Sequence, residues 1–199
     1  MTDTAAQVSA KETRPSGPGR PREFDEGAAL EAALQVFWSK GYEATSLDDL
    51  TKAMGLSRSS FYGAFGGKQQ LFIRALESYS RSCLDDLRAI AADAPEDPVA
   101  AMMLALSGEV SGPRGCLLIN CLAELAPNDS KVAEIGRRHL ETIEDVFAKT
   151  LDAEDPEAAR DKASAYASLA IGTLALRKAG VSPDRITKTL KQARSVLSP

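Results

Sequence analysis

The sequence predicts an all-α chain, with a compact three-helix head followed by a larger helical body, and three observations carry that prediction. Apolar residues recur at the helical period through most of the chain. The breaks between periodic stretches hold glycine, proline or small polar residues, as at "KGY", "MGLS", "SGPRG", "PND" and "GVSP". No stretch shows the strict apolar–polar alternation of a half-buried strand, and no internal repeat is present.

In chain order, residues 1–22 are rich in Thr, Ser, Ala, Pro and Gly and lack periodicity, so they read as a flexible arm that turns basic at Arg14, Arg20 and Arg22. Residues 23–68 read as the head. Its first helix carries Ala29, Leu30, Ala33, Leu34, Phe37 and Trp38 at helical spacing and ends at Gly41. Ser46, three residues before Asp49, opens a second helix in capping-box fashion, and Leu47, Leu50 and Met54 form its inward stripe up to Gly55. Ser57 caps a third, short helix with Phe61 and Phe65 at i and i+4 on its inner side. Residues 69–199 read as the body, with helices expected at 69–93, 97–110, 114–126, 129–152, 157–179 and 183–197.

Two short helices joined by a glycine-containing turn, the second anchored by aromatics and slim on its outer side, form the layout of a helix-turn-helix. On that outer side Arg58 is the best base reader, because a guanidinium bonds bidentately to guanine O6 and N7. Ser57, Ser59 and Ser60 suit bases or phosphates. Thr45, Ser46, Tyr62 and Lys68 at element ends suit phosphates, which position a protein without specifying sequence, and Arg22 in the arm suits a groove or a phosphate, or stays solvated. The formal charge of -4 adds no whole-chain attraction to a polyanion, so this contact has to be a local patch.

In the body, "RGCLLINCLAELA" is apolar nearly all round and reads as buried. Its polar members Cys116, Asn120 and Glu124 fall at i, i+4 and i+8. Two readings fit them: an internal hydrogen-bond network, or the polar wall of an effector cavity with Met102 and Met103 on the preceding helix. Cys116 itself reads either as a small buried residue or as a reactive thiol near a helix start beside Arg114. Near the C-terminus, Ala163, Ala167, Ala170, Ile171 and Leu174 make a small-residue stripe, joined by Ile186 and Leu190, that fits either a dimer interface or packing within one chain.

Several classes are disfavoured. Three cysteines match neither a disulfide framework nor a zinc site in a chain with 1 histidine, which points to a reducing compartment. No apolar run reaches the ~18 residues that span a bilayer and no hydrophobic signal core opens the chain, so a cytoplasmic location without membrane partners is expected. No phosphate loop or HExxH motif is present, and no metal or cofactor is expected. His139 reads as a residue of a solvated helix face, and a Cys116–His139 pair is the one thiol-enzyme candidate.

The run "GYEATSLDDLTKAMGLSRSSFYGAFGGKQQLF", with its ordered Gly41, Tyr42, Thr45, Gly55, Ser57, Tyr62, Phe65, Lys68 and Phe72, resembles the DNA-binding domain of TetR/AcrR-type bacterial regulators. The upstream "GRPREFD" is similar to the basic lead-in of that family. Gly63 and Ala64 depart from it, standing where many members carry bulky basic or histidine residues. The resemblance implies a homodimeric repressor with tandem heads on a palindromic double-stranded DNA operator, dimerised through a four-helix bundle of the last two helices, and released by a small-molecule effector. The "GCL…N…E" run resembles an electrophile- and oxidant-sensing subset of the family, which extends the effector class to electrophiles. A constitutive DNA-binding regulator without an effector is the competing expectation.

Overall fold

The computed structural model describes residues 24–93, 96–108, 114–151 and 155–197; the arm with Arg14, Arg20 and Arg22 lies outside them. Among the described residues the chain forms nine helices and no strand: α1 (Glu26–Lys40), α2 (Leu47–Met54), α3 (Arg58–Phe65), α4 (Lys68–Asp93), α5 (Pro98–Leu106), α6 (Leu117–Leu125), α7 (Ser130–Thr150), α8 (Pro156–Lys178) and α9 (Pro183–Leu197).

Local chemistry accounts for the boundaries of the head. The Asp25 carboxylate accepts from the N–H groups of Gly27 and Ala28 and so opens α1. At α2 the box is reciprocal: Ser46 Oγ accepts from Asp49 N at 3.1 Å, and Asp49 Oδ2 accepts from Ser46 N at 3.0 Å. Gly55 then takes the left-handed conformation, with φ +65°, which lets the chain turn at once into the Ser57 cap of α3.

Packing joins the head to the body through α4. Phe37 of α1 meets Phe72 of α4 edge-on at 5.0 Å between ring centroids, and Leu50, Phe61, Leu71 and Leu76 are fully enclosed around them. Full burial of one such phenylalanine contributes about 1.5–3 kcal/mol. This apolar cluster runs on through Tyr79 into Leu117, Leu118 and Cys121 of α6 and Val132 and Ile135 of α7. A second cluster unites the far half of α4 with α5, α7, α8 and α9 around Met102, Met103, Phe147 and Tyr166. Helix α4 therefore contributes to both cores.

Two body helices are shorter than the periodicity implies. The stretch expected at 97–110 leaves helix after Leu106, where Ser107 Oγ donates to Leu104 O at 2.6 Å and Gly108 takes φ +80°. The stretch expected at 114–126 begins only at Leu117, because Gly115 takes φ +64° and Cys116 occupies the N-cap. Helix α6 is also not buried all round. Leu117, Leu118 and Cys121 face the core, whereas Ala123 and Glu124 are exposed.

Candidate nucleic-acid interface and body cavity

Helix α3 lies over the core on Phe61 and Phe65 and turns Arg58, Ser59, Tyr62 and Gly63 to solvent. The Ser57, Ser59 and Ser60 hydroxyls form one cluster at its N-terminus: Ser57 Oγ accepts from Ser60 N at 3.1 Å, donates to Ser60 Oγ at 2.9 Å and lies 3.0 Å from Ser59 Oγ. Tyr62 is 54% exposed and packs edge-on against Phe61. The departure at Gly63 leaves open space: a Cβ there would meet nothing within 4 Å. Arg58 is exposed and paired with a residue the sequence reading passed over, as its Nη2 donates to Asp48 Oδ1 on α2 at 2.7 Å.

Three residues read from sequence as phosphate contacts sit differently from that expectation. Thr45 is 2% exposed, and its hydroxyl donates to Gly41 O at 2.6 Å, so it closes the loop after α1. Ser46 is exposed, but its hydroxyl is taken up by Asp49 in the cap. Lys68 is half-buried, its ammonium 4.4 Å from the Tyr42 ring centroid and 3.4 Å from Glu43 O. The Asp49 carboxyl is held well below the usual carboxylate range, chiefly by the hydrogen bond from Lys40. Arg22 lies outside the described residues.

In the body a cavity of about 140 Å³ opens between α4, the end of α5, the start of α6, α7 and α8. Its walls are mostly aliphatic, with Leu87, Ile90, Ile119, Ile143 and Leu174 prominent, and its polar groups are Tyr79, Cys83, Asp86, Cys116 and His139. Tyr79 organises the polar side: its hydroxyl donates to Cys116 Sγ at 3.5 Å and accepts from Leu117 N at 3.3 Å. Burial raises the Tyr79 phenol and pushes the Cys83 thiol up to about 11. Cys121, in the core behind, is pushed up to about 12 by burial and then by Glu124.

The sequence-based cavity set is corrected on several points. Cys116 does line the cavity, but Asn120 and Glu124 do not. Asn120 turns back to donate to Arg114 O at 3.0 Å, and the exposed Glu124 carboxylate lies against Gly41 of the head, where a Cβ would sit 3.5 Å from its Oε2. Met102 and Met103 are fully buried in the second core and line no part of the cavity. Arg114 does not flank the Cys116 thiol: its guanidinium stacks 4.4 Å over the Trp38 ring, and Nη1 donates to Gln35 Oε1 at 2.9 Å. His139 is not solvated. It is 4% exposed, its Nδ1 lies 2.8 Å from Ser80 Oγ, and burial pushes its pKa down to about 4. Among the described residues no hydrogen bond joins it to Cys116.

The stripe read as a dimer surface is turned inward. Ala163, Ala167, Ala170, Leu174, Ile186 and Leu190 are buried within one chain, and Ile171 borders the cavity. The outward side of α8 instead carries Leu169, 41% exposed, Leu176, 44% exposed, and Gly172, where a Cβ would meet nothing within 4 Å. Sequence periodicity held a signal for the cavity: Tyr79, Cys83, Leu87 and Ile90 make one continuous stripe on α4.

Comparison with known proteins agrees with the geometry. The family model described as bacterial regulatory proteins, tetR family, matches residues 29–75. The chain is 33% identical over 135 residues to YezE of Bacillus subtilis, an uncharacterised HTH-type transcriptional regulator, covering 65% of this chain and 69% of that one. It is 26% identical over 193 residues to the HTH-type transcriptional repressor BdcR of Escherichia coli, covering 94% of each. The TetR family regulator CifR, solved with 26-bp double-strand operator DNA, superposes with a TM-score of 0.73 at 30% identity, covering 87% of this chain and 97% of that one. The reduced form of E. coli NemR, 16% identical, shares the fold with the same TM-score of 0.73 over 85% of this chain and 95% of that one. A helix-turn-helix head on a helical body, matched in sequence at the head and in fold along nearly the whole chain, establishes a DNA-binding transcriptional regulator of the TetR family.

Proposed function

We propose that the protein is a homodimeric repressor whose two α3 helices enter successive major grooves of a palindromic operator, and that a small molecule in the body cavity releases it. The observation that carries this reading is the placement of the cavity against α4, the helix whose first turns belong to the core of the DNA-binding head. A ligand that moves α4 changes the separation of the two heads from the ~34–36 Å that successive grooves demand. Helix α6 supports the same coupling, because Cys116 and Ile119 border the cavity, while Arg114 before the helix and Glu124 near its end reach α1 and Gly41.

In this reading the head spans residues 23–68 and the body 69–199, and Arg58 reads bases. Ser57, Ser59, Ser60, Tyr62 and the arm residue Arg22 serve the DNA around it, whereas Ser46 and Lys68 hold the head together. A solvent-facing Tyr62 and a cavity-lining Cys116 support the assignments they carry. Cys116 also makes the cavity a place where an electrophile meets a thiol beside the Tyr79 hydroxyl. The dimer contact passes to the outward face of α8, through Leu169, Gly172 and Leu176, since the inward face is already used.

The test is binding to the DNA upstream of the protein's own gene at two salt concentrations, with and without a mild thiol oxidant or electrophile. Specific binding that the reagent reverses, and that Cys116→Ser makes insensitive, supports release through the cavity. Specific binding indifferent to the reagent moves the search to non-covalent ligands, and a body that no small molecule stabilises favours constitutive binding. Arg58→Ala is expected to cost about tenfold or more on the operator with little change on random DNA. Equal losses on both would remove Arg58 as a base reader.

A further inference from the structure

Arg58 and Asp48 stand ten residues apart, on different helices, and meet across the turn of the helix-turn-helix. The Arg58 Nη2 to Asp48 Oδ1 distance is 2.7 Å. Both side chains are well exposed, 67% for Arg58 and 74% for Asp48, so the pair is made in water and contributes little to stability. Its geometry has more consequence than its energy. An unpaired arginine at the start of a recognition helix samples many rotamers and loses that freedom when it docks on a base, whereas one already tied at a single nitrogen loses less.

The hydrogen-bond inventory favours that use. A guanidinium has five N–H donors, and Asp48 occupies one of them on Nη2, leaving the others for a guanine edge. The rest of the outward face offers little competing readout. The three serine hydroxyls are clustered around the cap of α3, and the position where a larger polar side chain would reach the groove is Gly63. Base discrimination by this helix therefore falls mainly on Arg58. Asp48 has a second effect, because a carboxylate on a surface that faces phosphates lowers affinity for every DNA sequence alike. Only a site that repays this through Arg58 is bound well.

We infer that Asp48 is a specificity-determining residue that positions Arg58 for guanine and penalises binding to DNA that offers Arg58 no partner. The inference rests on α3 being the helix that reads DNA. The experiment is repeated selection of the full-length protein on a pool of random-sequence double-stranded DNA, followed by affinity measurements on the selected site and on an unrelated duplex. Wild type, Asp48→Ala and Asp48→Asn are compared, with thermal unfolding of each to confirm a folded head.

For Asp48→Ala the selected motif is expected to lose preference at one guanine per half-site, by about fivefold or more, while affinity for the unrelated duplex stays level or rises. Asp48→Asn keeps an oxygen acceptor for Nη2 without the charge, so it is expected to retain the guanine preference and to share the gain on unrelated DNA. If Asp48→Ala selects the same motif with the same strength, the inference is overturned. If it loses affinity equally on both duplexes, Asp48 is structural and the inference is again overturned. If wild type itself selects no motif, the DNA-reading role of α3 fails first, and that outcome is distinct from the other two.

Discussion

At the scale of single residues, His139 shows how burial changes a side chain's chemistry. It sits between the cavity and Ser80, and removal from water pushes its pKa down to about 4 from the ordinary 6.5. Between those values the unfolded chain takes up a proton that the folded chain refuses, so stability is complete above about pH 6.5 and is lost as the pH falls toward 4. The loss is on the order of 2–3 kcal/mol. Denaturant midpoints measured from pH 7 to 4 are expected to fall for the wild type and to fall less for His139→Gln. Since the chain has 1 histidine, no other imidazole contributes to the difference. The charged immediate neighbours in "GRRHLE" suggest a solvated position, but His139 stands four residues from both Ile135 and Ile143 and so shares the apolar stripe of α7 that is turned to α4.

At the scale of elements, α6 and α7 meet at a glycine. A Cβ on Gly136 would lie 2.1 Å from Leu122 Cδ2 and 2.8 Å from its Cγ, so α6 occupies the space that any other residue would fill. Gly136→Ala is expected to cost about 1–3 kcal/mol through overpacking and to lower the melting temperature by several degrees. The same displacement reaches the head, because on either side of that contact Arg114 stacks over Trp38 and Glu124 lies beside Gly41. DNA affinity and stability are therefore expected to fall together in this variant, and paired calorimetry and DNA-binding measurements check that. The caps of α2 and α3 were legible in advance, since Ser46, Asp49 and Ser57 act on atoms within three residues of themselves. The contact at Gly136 was not, because it joins positions whose only relation is tertiary.

At the scale of the whole molecule, helix α8 assigns its two faces to different tasks. The alanine side packs inside the chain, and the opposite side leaves Leu169, Gly172 and Leu176 on the surface, spaced i, i+3 and i+7. In the proposed two-fold dimer, Leu176→Glu sets like charges near the symmetry axis and is expected to shift the protein from dimer to monomer in sedimentation experiments. Ala167→Glu differs: it buries an unpaired charge in one chain and is expected to unfold the body. An unchanged dimer for Leu176→Glu would move the interface away from this face.

The sequence by itself determined the helical class, the ends of the head helices and the helix-turn-helix signature, because periodicity, caps and left-handed glycines are settled by neighbours a few residues away. Only the tertiary structure decided which faces are covered: Thr45 buried, Met102 and Met103 in the core rather than the cavity, the α8 alanines inward, and Arg58 held by Asp48. A helical period says that a face is apolar or small, but its partner is chosen by helices far off in the chain. That choice placed the cavity on α4 and Cys116 in its wall.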